Sequence, residues 1–205
     1  MQVRLNVIST LSSVNAVIGI ELLSQSLLPA IIDLAADLKW RVRVAIIEHI
    51  PMIAQQLGSS FFNERLNTLC MTWLGDNVYS VRRAATENLQ KLTERFGDEW
   101  ACEQIVPRVN EMHIHTNYLQ RMTALYCIQV LSVCLSKNSV ENTLASMVLK
   151  LCGDSVANVR FTAARTLPMI SASKELRADV FKSLQTLQTD LDRDVRFFAT
   201  QVLSL

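Results

Sequence analysis

An arginine recurs along this chain at a nearly constant interval, and that interval limits the possible folds more than any other feature of the sequence. It stands in "VRLNV", "VRVAI", "VRRAA", "QRMTA", "VRFTA" and "VRFFA" as Arg4, Arg43, Arg82, Arg121, Arg160 and Arg196, at steps of 39, 39, 39, 39 and 36 residues. Its neighbours recur too. Three residues on come Val7, Ile46, Ala85, Ala124, Ala163 and Ala199; seven on come Leu11, Ile50, Leu89, Ile128, Leu167 and Leu203; ten on come Val14, Ile53, Leu92, Leu131 and Ile170. Steps of three, four and three draw one apolar stripe down the side of a helix. Six residues before the arginine stands Asp37, Asp76, Asp154 or Asp190, with His115 in the remaining place.

Each unit carries a second periodic segment upstream: "LSQSLLPAIIDLA", "NERLNTLCMTWL", "EQIVPRVNEM", "ENTLASMVLKL" and "ADVFKSLQTL". The pattern predicts a first helix, a short turn holding the aspartate, then a second helix that begins near the arginine. The connections "SSF", "RFGDEW", "SKNS" and "SASKE" are polar or glycine-containing breaks of ordinary loop length. A two-helix unit near forty residues is a HEAT repeat, unlike the shorter tetratricopeptide or ankyrin units. One helix pair cannot cover its own apolar face, so such units stack. The expected fold is therefore all-α, an α-solenoid of about five and a half HEAT repeats. Its boundaries fall at 1–18 (second helix only), 19–57, 58–97, 98–136, 137–172 and 173–205. Met1 to Val14 would lack a first helix and leave Leu5 and Ile8 poorly covered, as in a fragment of a longer array.

Composition agrees and removes several function classes. Of 205 residues, 50% are hydrophobic and 19% charged, with 20 Lys+Arg against 19 Asp+Glu. A net charge of +1 gives no field for drawing in nucleic acid or an anionic membrane. Five glycines and four prolines are few for a β-rich chain with many tight turns. Cys70, Cys102, Cys127, Cys134 and Cys152 are odd in number, lack a C-x-x-C, and lie among apolar residues, so reduced, buried thiols in the cytoplasm or nucleus are expected. There is no signal-peptide pattern, and "LLPAII" is far shorter than the roughly 20 apolar residues of a membrane span.

Taken singly, the aspartates and arginines look catalytic. In register they look structural: the aspartate can accept backbone N–H bonds where the second helix begins, and the arginine can reach an aspartate of its own or an adjoining repeat. His49, His113 and His115 complete no metal set and no nucleophile–base pair, and there is no glycine-rich phosphate loop. No enzyme and no cofactor are expected. The turn column three residues before the arginine is different: it holds Trp40, Tyr79, Tyr118 and Ala157, flanked by Lys39, Arg41, Val78, Asn117, Val156 and Asn158. Packing between helices does not need large rings in turns, whereas Trp, Tyr and Arg dominate protein interfaces. These ten residues are the candidate partner-binding surface.

Four stretches, "KWRVRVAIIEHIP", "LCMTWLGDNVYSVRRAAT", "NYLQRMTALYCIQVLS" and "GDSVANVRFTAA", closely resemble the scaffold (A) subunit of type 2A serine/threonine protein phosphatase, in its carboxy-terminal HEAT repeats. The resemblance implies a non-catalytic scaffold whose intra-repeat turns hold the phosphatase catalytic subunit, while regulatory B-type subunits dock mostly on more amino-terminal repeats. Matched by motif, it points to Lys39, Trp40 and Arg41, Val78 and Tyr79, Asn117 and Tyr118, and Val156, Ala157 and Asn158. It departs from the pattern at His115 and in the last repeat. It also implies a chain that takes the catalytic subunit but assembles the trimeric holoenzyme poorly. The alternative is a HEAT array for tubulin, resembling TOG domains with a tryptophan in their first turn, or for transport cargo. More basic turns and less even repeats would have favoured that reading.

Overall fold

The computed structural model describes residues 20–171 and 173–204, with side chains from Leu28 onward. The half repeat expected over 1–18, with Arg4, Val7, Leu11 and Val14, lies outside the described residues. Every regular element among the described residues is helical, as the periodicity requires. Contacts divide the chain into two compact units, one ending at Phe96 and the other beginning at Gly97.

The first unit contains α1 (Ile20–Ala35), α2 (Trp40–Arg65), α3 (Asn67–Trp73) and α4 (Tyr79–Phe96). Gly58 interrupts α2 with φ 84° and ψ 166°. The part of α2 before that break packs as a second helix against α4, and α1 packs on α2. The indole Nε1 of Trp73 donates to the carbonyl of Ala35 at 3.3 Å, tying α3 to the end of α1.

The second unit contains α5 (Asp98–Gln104), α6 (Val106–His113), α7 (Tyr118–Cys134), α8 (Lys137–Ser139), a π-helical turn (Val140–Leu144), α9 (Ala145–Leu151), α10 (Ala157–Ile170), α11 (Lys174–Leu187) and α12 (Arg193–Leu203). The second helices α7, α10 and α12 stack in sequence, and α6, α9 and α11 lie along them as a layer of first helices.

The stripe read from the spacing is the core. Ile46, Ala85, Ala124, Ala163 and Ala199 are buried, as are Ile50, Leu89, Ile128 and Leu167, then Ile53, Leu92, Leu131 and Ile170; only Leu203 at the last position is half-exposed. The alanine that four of these five repeats place three positions after the arginine lets neighbouring helices approach closely. Longer aliphatics four and seven residues further on fill the space this leaves.

Two local features depart from the expectation of simple hairpins. The first helices of three successive repeats are bent, at Leu66, Ile105 and Leu144, each fully buried and each with φ between −100° and −116°. Pro107 follows one bend, and its missing N–H explains why the ladder breaks there. No proline accompanies Leu66 or Leu144, and at Leu144 the helix widens into the π-helical turn instead. The connections between repeats also use two solutions at one register position. Gly58 and Gly97 turn the chain with φ 84° and 95°, a backbone conformation that side chains strongly disfavour. Ser136 sits 39 residues after Gly97 with an extended backbone, and its hydroxyl accepts the N–H of Ser139 at 3.2 Å. Ser173 caps α11 in the same way through Leu176.

Candidate functional site

The turn aspartate builds each turn from below. Oδ1 of Asp37, Asp76, Asp154 and Asp190 accepts the backbone N–H two residues on, at Lys39, Val78, Val156 and Asp192, each at 2.8 Å. His115 serves in the same place: its Nδ1 faces the N–H of Asn117 at 3.0 Å and must be the unprotonated ring nitrogen to accept it. The substitution that departs from the repeat pattern therefore preserves the turn.

The arginine then fixes the turn from the helix side. Nη1 of Arg43, Arg82, Arg121, Arg160 and Arg196 donates to the carbonyls of Asp37, Asp76, His115, Asp154 and Asp190 at 2.6–2.8 Å. The rest of the guanidinium reaches the next repeat's aspartate through two parallel bonds: Arg43 to Asp76 in the first unit, Arg121 to Asp154 and Arg160 to Asp190 in the second. Side-chain exposure within these pairs is only 6–17%. The Arg160 hydrogen bonds hold Asp190 below the usual carboxylate range. Burial pushes Asp154 up, but the Arg121 bonds and the Val156 N–H outweigh it and the net direction is down. This confirms the structural reading of both columns.

On this frame the candidate residues occupy the turn and the first helical residues. Lys39 precedes α2 and is exposed; Trp40 opens α2 half-buried, with the guanidinium of exposed Arg41 4.4 Å from its ring centroid. Val78 is half-buried, and Tyr79 opens α4 with 56% of its surface exposed. In the second unit exposed Asn117 caps α7 through the N–H of Leu119 at 3.0 Å, and Tyr118 is 39% exposed. Half-buried Val156 stands just before α10, half-buried Ala157 opens it, and Asn158 is exposed. None of the three rings is buried between helices. The Arg43–Asp76 pair joins the Trp40 and Tyr79 turns, and the Arg121–Asp154 pair joins the Tyr118 and Ala157 turns. Trp40, however, is half-covered, unlike Tyr79 and Tyr118.

Sequence reasoning missed two side chains on these turns. Leu38 and Leu191 are each 98% exposed, five residues before Arg43 and Arg196. The signal was present: that column otherwise reads Asn77, Thr116 and Ser155, so a leucine there has no packing role to fill. Burial of the thiols was also over-read. Cys70, Cys127 and Cys152 are buried, Cys102 and Cys134 half-exposed, and none forms a disulfide. His113 is buried, with its Nδ1 2.6 Å from the carbonyl of Asn110, so it belongs to the core. Among the described residues no group of histidine, cysteine and carboxylate side chains could hold a metal, and no helix is long and apolar enough to cross a membrane.

The sequence is similar to regulatory subunits of serine/threonine protein phosphatases. The chain is 44% identical over 126 residues to the A-type regulatory subunit of protein phosphatase PP2A from Saccharomyces cerevisiae, a match covering 56% of this chain and 20% of that protein. Its Schizosaccharomyces pombe counterpart is 48% identical over 70 residues, covering 34% of this chain and 12% of the relative. Serine/threonine-protein phosphatase 4 regulatory subunit 1 of Rattus norvegicus is 24% identical over 175 residues, covering 78% of this chain and 18% of the relative. The chain thus spans a fifth or less of the length of these relatives. The resemblance to the type 2A scaffold subunit read from the four motifs holds. No family model matches the chain. Among solved structures, Cex1p aligns over 98% of this chain and 41% of its own at TM-score 0.63 and 16% identity. A crescerin TOG-domain structure aligns over 90% and 75% at TM-score 0.60 and 15% identity. At such identities these two likenesses concern the fold alone, and they agree with an all-α, HEAT/armadillo-type repeat chain.

Proposed function

We propose that this chain is a non-catalytic scaffold that binds the catalytic subunit of a type 2A serine/threonine phosphatase through its intra-repeat turns. The contact residues are Lys39, Trp40, Arg41, Val78, Tyr79, Asn117, Tyr118, Val156, Ala157 and Asn158. The likeness to the A-type regulatory subunits supports the class of partner. The single observation that carries the turn assignment is Tyr79, more than half exposed on a backbone pinned by Asp76 and Arg43.

The physical case is preorganisation. A ring on a mobile loop loses conformational freedom when it docks, and that loss subtracts from affinity. Here each turn is closed by an aspartate or histidine bond and braced by an arginine, so the rings are already held before any partner arrives. Large amphipathic rings on a fixed support, one of them beside half-buried Val78, are what interface hot spots are made of. Turns of this kind offer no nucleophile, acid–base pair or metal set, so the role they fit is binding.

The test is direct binding of purified chain to purified type 2A catalytic subunit by biolayer interferometry, with tubulin as the competing analyte. Saturable binding to the phosphatase that a Tyr79→Ala, Tyr118→Ala double variant abolishes is the expected result. Binding of tubulin instead, or phosphatase binding indifferent to both substitutions, overturns the proposal.

A further inference from the structure

An aromatic cluster lies away from the turns, on the second helices α10 and α12. The rings of Phe161 and Phe198 stack with centroids 5.4 Å apart, and Phe197 meets Phe198 edge-on at 5.3 Å. Phe197 is 60% exposed. Arg165, one turn after Phe161, is exposed and holds its guanidinium 5.1 Å from the centre of the Phe198 ring.

Packing of α10 on α12 accounts for the Phe161–Phe198 contact but leaves Phe197 open. Phe161 and Phe197 both follow directly after a repeat arginine, where the other repeats have Val44, Arg83 and Met122. Val44, Met122 and Phe161 remain half-exposed although another second helix follows each of them in the same unit, and Arg83 is exposed. The position therefore lies at the outer edge of the second-helix layer, where Phe161 reaches Phe198 of the next second helix while Phe197 stays open.

Acids near the cluster lie at the turn before α12, where Asp190 pairs with Arg160 and Asp192 accepts the N–H groups of Asp194 and Val195; on the Arg165 side there is none within α10. Neither Tyr118–Cys134 nor Ala157–Ile170 contains an acidic residue. Arg121 and Arg160 are neutralised by Asp154 and Asp190, but among the described residues no ion pair involves Arg165 or Arg193. Arg193 stands one turn before Phe197, and Asp194 beside it is the only acid on α12 near the rings. An arginine drawn to a ring by cation–π attraction still has N–H donors to offer, and a carboxylate that accepts from them is bound more strongly beside apolar surface than in open water. Exposed aromatic surface joined to such a cation marks a protein-binding patch.

We propose that this patch docks an acidic segment of a partner protein, with a carboxylate on Arg165 and an adjacent leucine or phenylalanine against Phe197 and Phe161. This site is separate from the turn surface and does not depend on the phosphatase reading.

Fluorescence anisotropy with labelled peptides tests it. The probes are a Glu-Glu-Leu-Phe repeat, a Lys-Lys-Leu-Phe repeat and a Glu-Glu-Ser-Ser repeat. The first is expected to bind, with affinity falling about tenfold or more in Phe197→Ser and in Arg165→Glu; each of the other two probes is expected to bind about tenfold or more weakly than the first. Both side chains are exposed, so circular dichroism should show the variants folded. Equal binding of the lysine or the serine probe overturns the proposal, as does failure of the first probe to bind. Concentration-dependent dimerisation abolished by Phe197→Ser would make the occupant a second copy of the chain and overturns it too.

Discussion

Arg43 meets Asp76 across 33 residues through two parallel bonds, Nε to Oδ2 at 2.8 Å and Nη2 to Oδ1 at 2.9 Å, while its Nη1 donates to the carbonyl of Asp37 at 2.6 Å. One planar group thus ties its own turn to the next. Asp76 in return uses Oδ1 for both Arg43 and the Val78 N–H, so the acid that shapes a turn also receives the preceding arginine. Asp154 and Asp190 do the same for Arg121 and Arg160. The turns are held as a linked series within each unit.

Breaking one link should destabilise the fold. Arg160→Ala leaves Asp190, only 11% exposed, without its partner and strips the carbonyl of Asp154. An expected loss of about 2–4 kcal/mol would appear as a lower urea midpoint. Arg160→Lys keeps the charge but not the fork, and should recover about half of that loss.

The turn rings separate binding from stability. Tyr79→Ala removes a side chain that is 56% exposed, so the melting temperature should stay nearly constant while the affinity for the catalytic subunit falls by about 2 kcal/mol or more. Trp40→Ala should weaken binding similarly but also lower the melting temperature by a few degrees, because the indole is half-buried. Calorimetry alongside titration of the catalytic subunit distinguishes the two.

Gly97→Ala should cost about 1–3 kcal/mol although nothing lies within 4 Å of the added carbon, because φ 95° and ψ 174° are almost closed to any residue with a Cβ. Gly58→Ala should behave alike. Ser136→Gly, at the same register with an extended backbone, should lose only a few tenths of a kcal/mol. Denaturant midpoints of the three variants check the order.

Acid should weaken the fold in two stages. Burial pushes His113 down, with the Asn110 carbonyl opposing in part and Lys150 adding to the effect. The unfolded chain then takes up that proton first, so stability falls as pH drops below about 6.5. His113→Gln should remove this first stage. Asp154 and Asp190 sit below the ordinary carboxylate range, so their contribution is complete above about pH 4 and is lost as pH falls through their folded values. Urea midpoints measured from neutral pH downward should show both stages in wild type and only the second in His113→Gln.

The sequence by itself determined the repeat, the buried stripe and the place of each turn, because a helix pair that must cover its apolar face on neighbours repeats its contacts at a fixed register. Asp37, Asp76, Asp154 and Asp190 were legible as turn formers, and Trp40, Tyr79 and Tyr118 as turn rings, from that register alone. Only the tertiary structure decided which aspartate each arginine takes, that Trp40 is half-covered while Tyr79 stands out, and that Leu38 and Leu191 are bare. It also decided that the first helices bend at Leu66, Ile105 and Leu144, and that Phe161, Phe197 and Phe198 gather under Arg165. These depend on which surfaces meet across 30 or more residues of chain, and side-chain exposure is a property of neighbours that a periodic pattern does not name.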